Sequence, residues 1–202
     1  EKSSLVGVLN RFCSRTSGSA LLNAGELCDS FVAPEIIPFM AETLRQANRE
    51  YARGHRLLLL TKSAYPRVLL ENDLQDIVVY SVSLNTETMA KQLEHGAPSP
   101  NKRIHAAMRV KEAGYEVRVR VDPIIAGSEP AYIGLMERIC AFIEPNLITL
   151  GSLRATLRTY RFLPETIRAQ LTEKTPWGHG YRSQTRLLMY SELVPVARNH
   201  GV

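Results

Sequence analysis

Long apolar runs, cysteine pairs and paired histidines are missing from this sequence, and each absence closes a class of explanation. No apolar stretch among the 202 residues approaches the roughly 18 that cross a bilayer, so no membrane-spanning segment is expected. The three cysteines, Cys13, Cys28 and Cys140, are odd in number, widely spaced and free of any Cys-x-x-Cys pair. That pattern opposes a disulfide framework or a zinc site and predicts reduced thiols. Together with the opening Glu1-Lys2-Ser3-Ser4, which lacks a secretory pattern, it predicts a cytoplasmic setting. The histidines His55, His95, His105, His179 and His200 form no ligand pair on one helix face, so no metal site is expected from them. No Gly-x-Gly-x-x-Gly follows a strand, no Gly-x-x-x-x-Gly-Lys-Ser/Thr occurs, and no Gly-x-Ser-x-Gly elbow is present. Dinucleotide, P-loop and serine-hydrolase chemistries therefore have little support.

What is present is an ordinary globular balance, 45% hydrophobic and 22% charged, long enough for one sizeable core. The net charge of +5 comes from scattered Arg and Lys, with Arg118/Arg120 and Arg154/Arg158/Arg161 as local concentrations. Mild basicity of this kind permits a nucleic-acid partner without requiring one.

The chain is organised around Ala20-Leu21-Leu22-Asn23-Ala24-Gly25-Glu26-Leu27-Cys28-Asp29-Ser30. An apolar run halts at Asn-Ala-Gly and gives way to carboxylates, a thiol and a hydroxyl. That reads as a buried strand delivering polar groups to its C-terminal end, where parallel α/β sheets place their chemistry. The pattern recurs at 57–62, 77–85, 117–122 and 147–154. The leucine run at 57–60 suits a strand covered on both faces. In 117–121, Val alternates with Arg118 and Arg120, which predicts a strand with one face less buried than its neighbours.

Helical spacing fills the intervals. It predicts helices over 4–12, 34–53 with Gly54 as its stop, 66–70, 87–93 behind a Thr86 or Asn85 cap, and 100–113 behind Ser99 and closed by Gly114. A further helix from about 129 carries Tyr132, Leu135, Met136, Ile139 and Cys140 on a broad apolar stripe, so Cys140 reads as a core residue. Beyond Arg154 the alternation ends, leaving a short helix over 164–171, a Gly/Trp/His loop over 175–181 and a terminal helix over 183–197. Strand–helix–strand alternation at these lengths means parallel strands joined by right-handed crossovers. Five strands are too few for an eight-stranded barrel, so the sheet is open or a partial barrel.

The segments Leu22-Asn23-Ala24-Gly25-Glu26-Leu27-Cys28-Asp29-Ser30, Leu59-Leu60-Thr61-Lys62 and Ser81-Val82-Ser83-Leu84-Asn85 resemble the radical S-adenosylmethionine superfamily. Within it, Leu93-Glu94-His95-Gly96-Ala97-Pro98-Ser99, running on to Arg103-Ile104-His105 and Ala113-Gly114-Tyr115, is similar to the spore photoproduct lyase branch. Asp122-Pro123-Ile124-Ile125 resembles that branch's fifth-strand end. The resemblance implies an α/β partial (β/α)6-type TIM barrel of which strands two to six are present, over 1–155, with a C-terminal helical extension over 156–202. It implies S-adenosylmethionine as cofactor, with Glu26 at its amino group, Lys62 at its carboxylate, Ser83 at its ribose, and Asn85 and Asp122 nearby. Lysine suits a carboxylate as a compact cation with three donors.

The resemblance also implies a [4Fe–4S] cluster, held by a Cys-x-x-x-Cys-x-x-Cys loop after strand one. Neither that loop nor that strand is in this sequence, so the cluster is expected only if an N-terminal segment supplies it. A hydrogen-donating cysteine belongs to the strand-two motif; a gapless reading puts Glu26 there, and Cys28, two positions on, is the candidate donor. In Trp177-Gly178-His179-Gly180-Tyr181-Arg182 the aromatic and cationic groups suit stacking on a nucleobase or, equally, a packing anchor. Two readings follow: the larger part of a radical enzyme acting on a DNA photolesion, inert by itself, or a cluster-free module binding S-adenosylmethionine or nucleic acid. The first strand's free edge predicts self-association.

Overall fold

The computed structural model describes residues 2–25, 28–176 and 178–202. Five parallel strands, β1 (Leu21–Asn23), β2 (Arg56–Thr61), β3 (Val78–Leu84), β4 (Glu116–Ile124) and β5 (Leu147–Ser152), lie in sequential order and curl into a half-barrel. The helices are α1 (Lys2–Arg15), α2 (Ile37–Tyr51), α3 (Arg67–Leu70), α4 (Glu87–Leu93), α5 (Pro100–Glu112) and α6 (Glu129–Ile143). The expected partial barrel, with strands near Leu22, Leu59, Val79, Val119 and Ile148, is what forms.

Strand alternation decides the two faces. Leu57 and Leu59, Val78, Tyr80 and Val82, and Val117, Val119 and Val121 stand in register and are buried under the helices. The residues between them, Arg56, Leu58 and Leu60, Ser81 and Ser83, and Arg118 and Arg120, share the opposite, concave face. Here β4 shows its alternation most plainly: its valines are buried and its arginines half-buried. In β1 only the helix-facing Leu22 is partly buried, because among the described residues the strand has a single neighbour, β2.

Most helix ends follow the sequence. Thr86 Oγ accepts from Met89 N at 3.2 Å, Ser99 caps α5 with Pro100 at its first position, and Gly114 (φ 85°) closes it. Helix α2 differs. A 3-10 turn over Pro34–Ile36 precedes it, and its left-handed stop is Ala52 (φ 50°) rather than Gly54. Asn48 explains the shift: its side chain brackets His55, donating to the carbonyl at 2.7 Å and accepting from the amide at 3.1 Å, so the chain must turn early. Gly54 serves close approach instead, since a Cβ there would lie 2.7 Å from Ser19 Oγ.

After Arg154 the chain is more ordered than its composition suggests. Strands β6 (Arg154–Ala155), β7 (Glu173–Thr175) and β8 (Gly178–Gly180) form a small antiparallel sheet in the order β6–β8–β7, where a loop was expected over 175–181. The pairing is between backbones, and at Gly178 (φ 131°) it brings the Ala155 carbonyl where a Cβ would stand, so no apolar periodicity announces it. Short helices α7 (Leu157–Tyr160) and α8 (Glu165–Arg168) link these strands, and Tyr160 stacks on His179 with ring centroids 4.2 Å apart. Helix α9 (Ser183–Asn199) docks on α6, burying Met189, Leu193 and Ala197. Among the described residues no helix is long and apolar enough to cross a membrane.

Candidate cofactor site

The C-terminal ends of the strands surround a cleft of about 580 Å³ lined by Asn23, Gly25, Cys28, Asp29, Leu60, Thr61, Lys62, Ser83, Arg120 and Asp122. Parallel strands end together on one side, so residues far apart in sequence meet there. Of the positions singled out in the sequence, Cys28, Lys62, Ser83 and Asp122 line this cleft. Glu26 lies outside the described residues, though Gly25 and Cys28 on either side of it belong to the lining. Asn85 is elsewhere. It is fully buried, accepting from Tyr132 Oη at 2.8 Å and from Thr86 N at 2.9 Å and donating to the Pro123 carbonyl at 3.1 Å. Those bonds tie β3 to β4 and α6, leaving Asn85 no face toward the cleft. Trp177 also lies outside the described residues.

The wall beside Cys28 is set by Asp29. Its carboxylate accepts from Thr61 Oγ1 at 2.7 Å, Lys62 N at 2.6 Å and its own loop's Phe31 N at 2.8 Å. Gly25 is required by crowding, since a Cβ there would stand 2.7 Å from the Cys28 carbonyl. Opposite, Asp122 Oδ2 accepts from Arg120 Nε at 3.1 Å, and its carboxylate fills the space a side chain at Gly151 would need, 2.6 Å from that Cβ. Cys28 is exposed, while Cys13 and Cys140 are buried and burial pushes both of those thiols up.

Lys62 belongs to an ionic chain. Its ammonium donates to Glu94 Oε1 at 2.6 Å; Glu94 Oε2 accepts from Arg103 Nη2 at 2.6 Å; Arg103 Nη1 donates to the Ser83 carbonyl at 2.7 Å. The Arg103 side chain is 0% exposed and that of Glu94 only 7%, against 37% for Lys62. Burial raises the Glu94 carboxyl, but the two cations outweigh it and hold the group below the ordinary carboxylate range. The Ser83 hydroxyl has no hydrogen bond among the described residues.

No role in the site is legible in the sequence for Asp29, Glu94, Arg103 or Arg120, although the first three stand within the motifs that carry the resemblance. A signal for Arg103 was present: with Ala107 and Val110 it falls on one helical stripe, and a cation there calls for a buried carboxylate.

The chain is thus a curled, parallel α/β half-barrel with a polar cleft at its strand ends. The spore photoproduct lyase family model matches residues 30–176, and the chain belongs to that family. The structure resembles spore photoproduct lyase solved as a complex with dinucleoside spore photoproduct, at TM-score 0.77 and 18% identity. It is similar also to a variant solved with bound AdoMet and dinucleoside spore photoproduct, at TM-score 0.75 and 19% identity. In both comparisons the alignment covers 99% of this chain and 64% of the other, so this chain spans less than two thirds of those proteins. A search of curated proteins returned no match.

Proposed function

We propose that this chain is the larger part of a radical S-adenosylmethionine enzyme of the spore photoproduct lyase kind, acting on a DNA photolesion. The observation that carries the reading is the convergence of Lys62, Ser83 and Asp122 on one cleft beside Gly25, each from a different strand end. The donor set fits the cofactor. Two of the three Lys62 donors remain for a carboxylate, the free Ser83 hydroxyl for a ribose, and Asp122 for hydroxyl or amino groups; Glu26 would take the ammonium. Bound there, S-adenosylmethionine would supply the radical chemistry of its superfamily only once an electron donor such as the implied iron–sulfur cluster is also present. The chain's own residues orient it: the rigid strand ends fix where its charged arm lies relative to the exposed Cys28 thiol, the candidate hydrogen donor.

An iron–sulfur cluster does not fit the described residues in the same way. Cys13 is buried in α1 and Cys140 in α6, while Cys28 is exposed at the cleft. No cluster chemistry is assigned to them.

Segment 156–202, with Arg154 before it, would carry the nucleic-acid contact. Arg154, Arg158 and Arg161 are exposed there, with Arg168 half-buried, all without acidic partners among the described residues, and Phe162 is 82% exposed. Cations without partners suit phosphates, and an exposed ring suits a base. Calorimetry with S-adenosylmethionine tests the cofactor assignment: binding should be weakened by Glu26→Gln and by Lys62→Ala. Unchanged affinity in both would remove the cleft from consideration.

A further inference from the structure

Lys62 stands in the wall between two cavities. One is the cleft; the other is an open groove of about 690 Å³ lined by Phe31, Tyr65, His95 and Lys102 among others. A lysine on a four-carbon stem, 37% exposed, has the freedom to point into either. What fixes it is Glu94, whose carboxylate meets the ammonium at 2.6 Å. Glu94 is in turn fixed by a fully buried arginine whose other terminal nitrogen holds the Ser83 carbonyl. One guanidinium thus reaches both cofactor-facing positions, Lys62 through a carboxylate and Ser83 through its backbone.

We propose that Glu94 is a positioning residue, aiming the Lys62 ammonium at the carboxylate of S-adenosylmethionine, with Arg103 as its anchor. This rests on the reading of the cleft given above. Glu94 does not touch the cofactor. It holds a charge-assisted hydrogen bond along one Lys62 N–H direction, which directs the remaining two donors toward the cleft. Lys62 and, after it, Arg103 keep the carboxylate ionised against the cost of burial, so the arrangement is set before any ligand arrives.

The test compares two ligands on the 202-residue chain by calorimetry: S-adenosylmethionine, and 5′-methylthioadenosine, which shares the nucleoside and sulfur but lacks the amino-acid arm. Glu94→Gln should weaken S-adenosylmethionine by roughly tenfold, the scale of one charge-assisted contact, and leave methylthioadenosine unchanged. Added to Lys62→Ala, it should cost nothing further. Glu94→Asp, which keeps the charge beside Arg103 but withdraws it from Lys62, should also lower the ratio of the two affinities, and it serves if the glutamine variant fails to fold. An equal loss for both ligands, or no loss, while Lys62→Ala still weakens S-adenosylmethionine, overturns the positioning role and leaves the cleft assignment standing. Indifference to Lys62→Ala alone overturns the positioning role; absence of S-adenosylmethionine binding, or indifference to Glu26→Gln as well, overturns both.

Discussion

The two ends of the sheet use the same residue types differently. At the N-terminal end, His55 Nδ1 accepts from Ala20 N at 2.9 Å, and Arg56 pairs with Glu116 and donates to the Val78 carbonyl at 3.1 Å. Glu116 also accepts from Arg118 Nε at 2.7 Å. These bonds join strand starts to one another, the Arg56–Glu116 pair reaching from β2 past β3 to β4. At the C-terminal end the bonds run from strands to loops and helices, Asp29 to Thr61 and Lys62, Glu94 to Lys62 and Arg103, and they hold up a cleft. Charge pairing by itself does not mark a site. The difference is where the unused donors lie: His55 Nε2 and Arg56 Nε are left buried, whereas those of Lys62 and Ser83 belong to residues that line a cleft.

The largest effect should come from the anchor at the cleft end. Replacing Arg103 by Leu leaves the Glu94 carboxylate buried with only Lys62 beside it, and breaking a buried ionic arrangement from one side costs about 3–5 kcal/mol. Chemical denaturation of the variant measures that loss; a change below about 1 kcal/mol would show that the cleft-end network carries no more stability than a surface pair.

Next in size is Gly25→Ala. With the Cys28 carbonyl 2.7 Å from the added methyl, the Asp29 loop must move, at a cost of about 1–3 kcal/mol. Denaturation and the reaction rate of the Cys28 thiol with a labelling reagent should both change. An unaltered thiol rate would mean that the loop adjusts without disturbing the cleft.

At the opposite end the sensitive variable is pH. Burial, followed by Arg53, lowers the His55 pKa below its ordinary 6.5, so the folded state holds a neutral ring where the unfolded chain would bind a proton. Stability from this site is therefore full above 6.5 and is lost as the pH falls from there through the lower folded value. Glu94 works the same way in a lower window: its contribution is full above 4.5 and is lost as the pH falls through its depressed folded value. His55→Gln should remove the upper decline and keep the lower one, and Glu94→Gln the reverse. A wild-type stability flat between pH 6.5 and 4.5 would overturn the first assignment.

The smallest expected change in stability belongs to Lys62→Ala, within about 1 kcal/mol, because the half-exposed ammonium leaves behind a carboxylate still paired with Arg103. The same substitution should have the largest effect on S-adenosylmethionine binding. A variant that loses several kcal/mol would make Lys62 a structural member of the network.

The five strands and their order were legible because buried parallel strands leave continuous runs such as Leu57–Leu60, punctuated by Gly, Pro and capping residues. Lys62, Ser83, Cys28 and Asp122 were legible because strand ends on one side of a parallel sheet must meet. Asn85 shows the limit of that rule. It follows directly on the strand that holds Ser83, two positions on, yet a buried tyrosine from α6 claims its side chain, and no spacing within β3 reveals Tyr132. Strand β8 was hidden for a related reason: it is Gly-His-Gly, and its pairing with β6 and β7 is between backbones, which hydropathy does not record.

The Asp29 carboxylate has a kinetic consequence. β1 is three residues long and has one paired side, so its amides should exchange with solvent through small local openings. The Asp29 bonds to Thr61, Lys62 and Phe31 do not depend on β1, because they join the following loop to the far end of β2. In deuterium exchange the Phe31 and Lys62 amides should therefore outlast those of Leu22 and Asn23. The loop beside Cys28 would stay seated while the strand that leads into it frays.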